Sequence, residues 1–293
     1  MDKIAFVFSG QGDQYPGMGQ DLATNYPASK KIFDILDEIR PGTSHMCFNG
    51  SEDELKETKN TQPCLYAFEA AAAEALINKG IKPSMAAGFS LGEVAAAAFT
   101  GVCSYEEGFR LVIKRGALMQ RDAEAEVTSM AAVLRLSDEE VIKLCGKYEN
   151  VYPVNFNCPG QITVSGLSEE MEPFLKDVKE KGGRAVPLKV KGAFHSPFMK
   201  NAAKDFYSCL KDASLKAPEM PLYSDITALP YDRAPEELLS EQIISPVMWE
   251  KIVKNMVKDG ADTFIEIGPG RTLTNMIKKI DPEVKALSLG ECL

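Results

Sequence analysis

The pentapeptide Gly88-Phe89-Ser90-Leu91-Gly92 has the spacing G-x-S-x-G, in which small end residues let the chain turn sharply between a strand and a helix. Its surroundings supply that context: Ser84 to Gly88 reads as a short buried strand, and a helix begins at Leu91. Such a turn lifts the serine hydroxyl out of a sheet and sets the backbone N–H of Leu91 where a tetrahedral oxyanion would form. Ser90 is therefore a candidate nucleophile for acyl chemistry. A serine opening a helix can also act simply as its cap, so the pentapeptide needs partners elsewhere in the chain.

A serine nucleophile needs a base, and the chain has just two histidines, His45 and His195. His45 lies in the loop-like stretch Pro41 to His45, upstream of the serine, whereas nucleophile-elbow enzymes place the histidine after it. His195 fits that order. It stands in Gly192-Ala193-Phe194-His195-Ser196-Pro197, past an expected strand and ahead of an expected helix. The acids between Ser90 and His195 include none in an evident strand-end context, so no aspartate of a hydrolase triad is supported. Arg115 shares a helix face with Phe109, Val112 and Met119, where a charge needs a reason.

These residues require a frame. Ile4 to Phe8 reads as a buried strand feeding the turn Ser9-Gly10-Gln11-Gly12. Thr61 is expected to cap a helix running to Gly80, and Ser104 with Glu107 to form a capping box for the helix carrying Arg115. From about residue 126 the expected order is strand 129–134, helix 137–147, strands 151–156 and 161–165, helix 168–181, strand 184–190. That is βαββαβ, a ferredoxin-like arrangement. Beyond it, 196–210 and 246–258 read as helices, and Thr263 to Ile267 as a strand before Gly268-Pro269-Gly270 and a helix at 273–277.

Composition bounds the rest. The chain has 293 residues, 45% hydrophobic and 26% charged, enough for a sizeable core. The N-terminal apolar run is too short for a secretory signal, and Met85 to Cys103 is too interrupted for a membrane span. Seven scattered cysteines without a Cys-x-x-Cys pair suit reduced thiols in a cytoplasmic chain better than disulfides or zinc. A net charge of −9 disfavours nucleic-acid binding.

Gly10-Gln11-Gly12, GFSLG around Ser90, Arg115-Gly116, Ala193-Phe194-His195 and Glu266-Ile267-Gly268-Pro269-Gly270 occur in order, with Thr61-Gln62-Pro63, Val154 to Asn157 and Pro159-Gly160-Gln161 among them. Through these segments nearly the whole chain resembles malonyl-coenzyme A:acyl carrier protein transacylases and the acyltransferase domains of polyketide synthases. The resemblance implies an α/β fold, with an α/β-hydrolase-like core from residues 1–125 and 191–293 and an inserted ferredoxin-like subdomain at 126–190. It implies that Ser90 and His195 are catalytic, that a backbone carbonyl at Gln242 orients the histidine, and that the amides of Gln11 and Leu91 form the oxyanion hole. Arg115 would clamp the malonyl carboxylate, a task suited to a planar bidentate cation, although a helix-surface ion pair is the ordinary use of an arginine. Phe194 would exclude an α-methyl group. Phe89 departs from the family, which usually has histidine there, and leaves acyl preference open.

The implied substrates are malonyl-coenzyme A and an acidic acyl carrier protein, with no permanently bound cofactor or metal, in fatty-acid or polyketide synthesis. Arg184, Lys189, Lys191, Lys200 and Lys204 flank the His195 segment and could steer that carrier, or be solvated lysines and arginine with no such role. Competing readings are a serine esterase or thioesterase, an acyltransferase for a different short acyl group, and a scaffolding homologue without activity.

Overall fold

The apolar run at the start of the chain becomes the central strand of a parallel sheet. The computed structural model describes residues 3–188, 190 and 192–293, and its strands are β1 (Ile4–Phe8), β2 (Met85–Gly88), β3 (Thr128–Leu134), β4 (Val151–Cys158), β5 (Gln161–Leu167), β6 (Arg184–Pro187), β7 (Leu222–Tyr223), β8 (Thr263–Ile267) and β9 (Lys285–Ser288). Five form a parallel sheet in the order β7-β2-β1-β8-β9, and four an antiparallel sheet in the order β4-β5-β3-β6.

Helices cover the parallel sheet, so β1 is buried at every position from Ala5 to Phe8. Phe6 and Phe8 pack their rings at 5.4 and 5.5 Å from Phe99, which ties β1 to the helix Leu91–Phe99 behind the Ser90 turn. Burying side chains of this size contributes roughly 1.5–3 kcal/mol each, which makes the sheet a firm base for the loops at its carboxyl edge. The antiparallel sheet packs its own helices, Asp138–Cys145 and Ser168–Glu180, around Phe174, Val164 and Ile162. Its element order is the expected βαββαβ.

Several boundaries differ from the expectation. The helix expected to start at Thr61 starts at Thr58; Thr61 lies inside it and its hydroxyl donates back to the carbonyls of Leu55 and Glu57 instead of accepting an N–H. The helix expected from Pro246 begins at Trp249, because Val247 is extended and exchanges backbone hydrogen bonds with Val154 and Phe156 of β4. That bridge fastens the second sheet to the segment following Gln242. The segment after His195 opens as a 3-10 turn, Pro197–Met199, before the helix Lys200–Asp212. The last strand of the second sheet ends at Pro187, short of 190. His45 lies on a short helix, Thr43–Asn49, where a loop was expected. No helix among the described residues is long and apolar enough to cross a membrane.

Candidate active site

Ser90 sits between β2 and the helix Leu91–Phe99 with φ 56° and ψ −105°, a conformation that an L-residue adopts only when its surroundings impose it. The flanking glycines show what imposes it. A Cβ on Gly88 would lie 2.0 Å from the carbonyl carbon of Gly92, and one on Gly92 would lie 2.3 Å from the carbonyl oxygen of Phe8. Strand, turn and helix therefore approach more closely than any side chain allows, and the serine is forced outward.

His195 meets it from the loop between the second sheet and the helix Lys200–Asp212. Its Nε2 lies 2.7 Å from Ser90 Oγ and its Nδ1 lies 2.9 Å from the backbone oxygen of Gln242. A carbonyl can only accept, so Nδ1 carries the hydrogen and Nε2 of the neutral ring accepts from the serine hydroxyl. The ring is buried, and its backbone too has positive φ, 60°. Burial, followed by the nearby Arg115 guanidinium, lowers the imidazole to about 4, with the Gln242 carbonyl pulling the other way. The ring is thus neutral and able to take a proton at ordinary pH.

Arg115 projects from the helix Tyr105–Ala123, capped by Ser104, whose hydroxyl accepts the Glu107 N–H. Its guanidinium is fully buried. Nη1 donates to Gln62 Oε1 at 3.0 Å, Nη2 donates to Gln242 Oε1 at 2.7 Å, and Nη2 stands 3.4 Å from Ser90 Oγ. Burial lowers it to about 10, opposed by the charges of Asp225 and Glu93, so it stays cationic. A buried cation beside a serine oxygen is not a surface ion pair. Its Nε has no partner among the described residues.

A cavity of about 230 Å³ opens over Ser90 and His195. Gln11, Leu91, Phe89, Phe194, Met119 and Asn155 are among its lining residues. Among the described residues the backbone N–H of neither Gln11 nor Leu91 donates to a backbone acceptor, which leaves both free for an anion next to the serine. The Phe194 ring is held against Gly192, where an added Cβ would meet it at 3.2 Å. Phe89 stacks edge-on against Trp249 at 5.6 Å, and its ring would clash at 2.7 Å with a Cβ on Gly10.

Three residues of the site are given no role by the sequence. Gln62, which stands in the segment Thr61-Gln62-Pro63, is one; its amide spans Arg115 and Met119. The others are Glu93 and Asp225, both fully buried, with Asp225 accepting the Ser90 backbone N–H at 2.7 Å and both carboxyls within hydrogen-bonding distance of Gln242 Nε2. Glu93 directly follows the G-x-S-x-G turn and could have been suspected as a polar residue on an otherwise apolar, alanine-rich helix. Asp225 has no comparable local signal.

A strand–turn–helix serine lies within hydrogen-bonding distance of a histidine held by a carbonyl, with a buried arginine beside it, an arrangement suited to acyl transfer. The chain matches the acyl transferase domain family over residues 5–287 and belongs to it. It is similar to a malonyl CoA-acyl carrier protein transacylase of Bacillus subtilis (strain 168), 37% identical over 299 residues, 99% of this chain and 94% of that one. Among solved structures, a malonyl CoA-acyl carrier protein transacylase from Clostridium perfringens superposes with a TM-score of 0.94 at 37% identity, covering 98% of this chain and 92% of that one. A malonyl-transacylase solved in complex with a type II polyketide synthase acyl-carrier protein gives 0.93 at 33% identity, covering 98% and 94%.

Proposed function

We propose that this chain moves a malonyl group from coenzyme A to the phosphopantetheine thiol of an acyl carrier protein through an acyl-Ser90 intermediate. The observation that carries this reading is the position of Ser90 Oγ, 2.7 Å from His195 Nε2 and 3.4 Å from Arg115 Nη2. A base and a cation for an acyl group bearing its own carboxylate thus meet at one oxygen. Ser90 Oγ attacks the thioester carbonyl as its proton passes to His195 Nε2, and the oxyanion is received by the N–H groups of Gln11 and Leu91. Collapse expels the coenzyme A thiolate, which takes the proton from His195. In the second half the carrier thiol gives its proton to His195 and attacks the acyl carbon, and Ser90 Oγ leaves and recovers the proton. Arg115 holds the malonyl carboxylate, the Phe194 ring closes the space beside its α-carbon, and Phe89 forms part of the wall. The coenzyme A thioester enters as substrate, and no resident cofactor is invoked.

The carrier is an acidic protein. Arg184, Lys200 and Lys204, which flank the His195 segment along the chain, are exposed and favour its approach, while Lys189 and Lys191 lie outside the described residues. The chain acts in the cytoplasm, as its free cysteines suggest. The direct test is intact-mass analysis after mixing with malonyl-coenzyme A, then addition of carrier. Wild type should gain one malonyl group and pass it on, and Ser90→Ala should gain none. Hydrolysis outrunning transfer at saturating carrier would instead mark a thioesterase.

A further inference from the structure

Two carboxyl groups lie beneath the Ser90 turn and take no part in the proton transfers above. Glu93 stands in the first turn of the helix Leu91–Phe99 and Asp225 two residues after β7, and neither is exposed. Glu93 Oε1 accepts the Tyr231 hydroxyl at 2.6 Å, and Glu93 Oε2 receives Gln242 Nε2 at 2.6 Å and the Asp225 N–H at 3.3 Å. Asp225 Oδ2 accepts the Ser90 N–H at 2.7 Å and lies 2.9 Å from Gln242 Nε2, which is also 2.7 Å from the Ser90 carbonyl oxygen.

The donors do not suffice for two carboxylates. A carboxamide nitrogen carries two hydrogens, and three acceptors surround this one. With the shorter contacts, to Glu93 and the Ser90 carbonyl, satisfied, Asp225 keeps a single firm donor for two oxygens, and its Oδ1 has no partner among the described residues. The charges do not balance either. Among the described residues the charge of Arg115 acts on both carboxyls, while the neighbouring His195 and Tyr231 are neutral, the tyrosine pushed upward by burial. Two ionised carboxylates against one guanidinium would leave a net negative charge out of water, which is costly. Burial and, for Asp225, the repulsion of Glu93 raise both carboxyls, Asp225 the further.

We propose that Asp225 and Glu93 hold one proton between them and serve as positioning residues, fixing Gln242 and through its carbonyl His195, and keeping a second negative charge from being buried beside Arg115. The inference rests on the reading of Arg115 given above. Deprotonation of the pair would put an excess negative charge beside Arg115 and repel a second carboxylate, so malonyl binding should weaken at alkaline pH while binding of an uncharged acyl group should not.

The experiment is kcat and KM for malonyl- and acetyl-coenzyme A from mildly acidic to alkaline pH, in wild type, Asp225→Asn, Asp225→Ala and Arg115→Ala. In wild type, KM for malonyl-coenzyme A should rise with pH by roughly tenfold, the ratio that corresponds to one pKa unit of differential interaction, with no matching rise for acetyl. Asparagine reproduces the protonated acid, accepting from Ser90 and donating to Glu93, so Asp225→Asn should keep kcat within about threefold and lose the alkaline rise, whereas Asp225→Ala should lose kcat. An asparagine variant as impaired as the alanine one, or unfolded, or with an unchanged alkaline rise, would overturn the proposal. Arg115→Ala separates the two readings: unchanged malonyl preference there would sink the carboxylate clamp, while the kcat of Asp225→Asn would still judge the carboxyl pair.

Discussion

The Nδ1 of His195 lies 2.9 Å from the backbone carbonyl oxygen of Gln242, a residue 47 positions away, and among the described residues no carboxylate hydrogen-bonds to the ring. A carbonyl fixes the tautomer as an aspartate would, but brings no full negative charge to stabilise an imidazolium. The carbonyl is itself held in place by the Gln242 side chain, which reaches Arg115, Glu93 and Asp225.

Gln242→Ala keeps the carbonyl and removes its anchor. Acylation by malonyl-coenzyme A, followed by rapid quench and mass analysis, should slow by about tenfold, well below the ~10²–10⁴-fold expected for His195→Ala, which removes the general base. Equal losses in the two variants would show that the side chain matters in its own right.

Arg115→Ala should reverse the acyl preference and also weaken the fold. Removing one partner of a buried charged cluster costs about 3–5 kcal/mol, so the melting temperature should fall. Malonyl transfer should drop strongly while acetyl transfer is spared, because only malonate loses a partner for its carboxylate. Parallel losses for both substrates, corrected for folded fraction, would assign Arg115 to structure alone.

The pH dependence follows from His195, lowered from 6.5 to about 4 in the folded chain. Between those values the unfolded chain binds the proton and the folded chain does not, so stability is retained above the unfolded value and lost as pH falls toward the folded one. The loss amounts to roughly 3 kcal/mol at most. Chemical denaturation at pH 7 and pH 4.5 should show it, and His195→Ala should flatten it. Activity toward acetyl-coenzyme A should persist well below pH 6, since the base form survives there; an acid limb near the ordinary histidine value would contradict the burial argument.

Phe194→Ser should open room beside the acyl α-carbon. In an equimolar competition of malonyl-, methylmalonyl- and acetyl-coenzyme A, wild type should load malonyl first and methylmalonyl poorly, and the variant should improve methylmalonyl relative to malonyl. If methylmalonyl or acetyl prevails in wild type, the specificity argument passes from Phe194 to Phe89, whose ring packs on Trp249 at the same cavity.

What the sequence determined by itself is local or depends on order. The glycines of the Ser90 turn, the apolar run of β1 and the order of strands and helices from residue 126 on are short-range patterns whose meaning does not depend on distant residues. Two histidines and their order along the chain single out His195, and the fold sets its Nε2 2.7 Å from Ser90 Oγ. Tertiary structure alone decided which polar groups meet. Asp225 reaches the Ser90 amide across 135 positions, and Gln62 reaches Arg115 across 53. Each sits in a segment whose own pattern reads as an ordinary turn or helix. Their roles arise because burial removes water from groups that must then find each other, and which groups are left facing is fixed only when the helices and the two sheets have packed. The displaced start of the helix at Trp249 has the same cause: Val247 is extended because β4 lies beside it, a neighbour that no local propensity at Pro246 could announce.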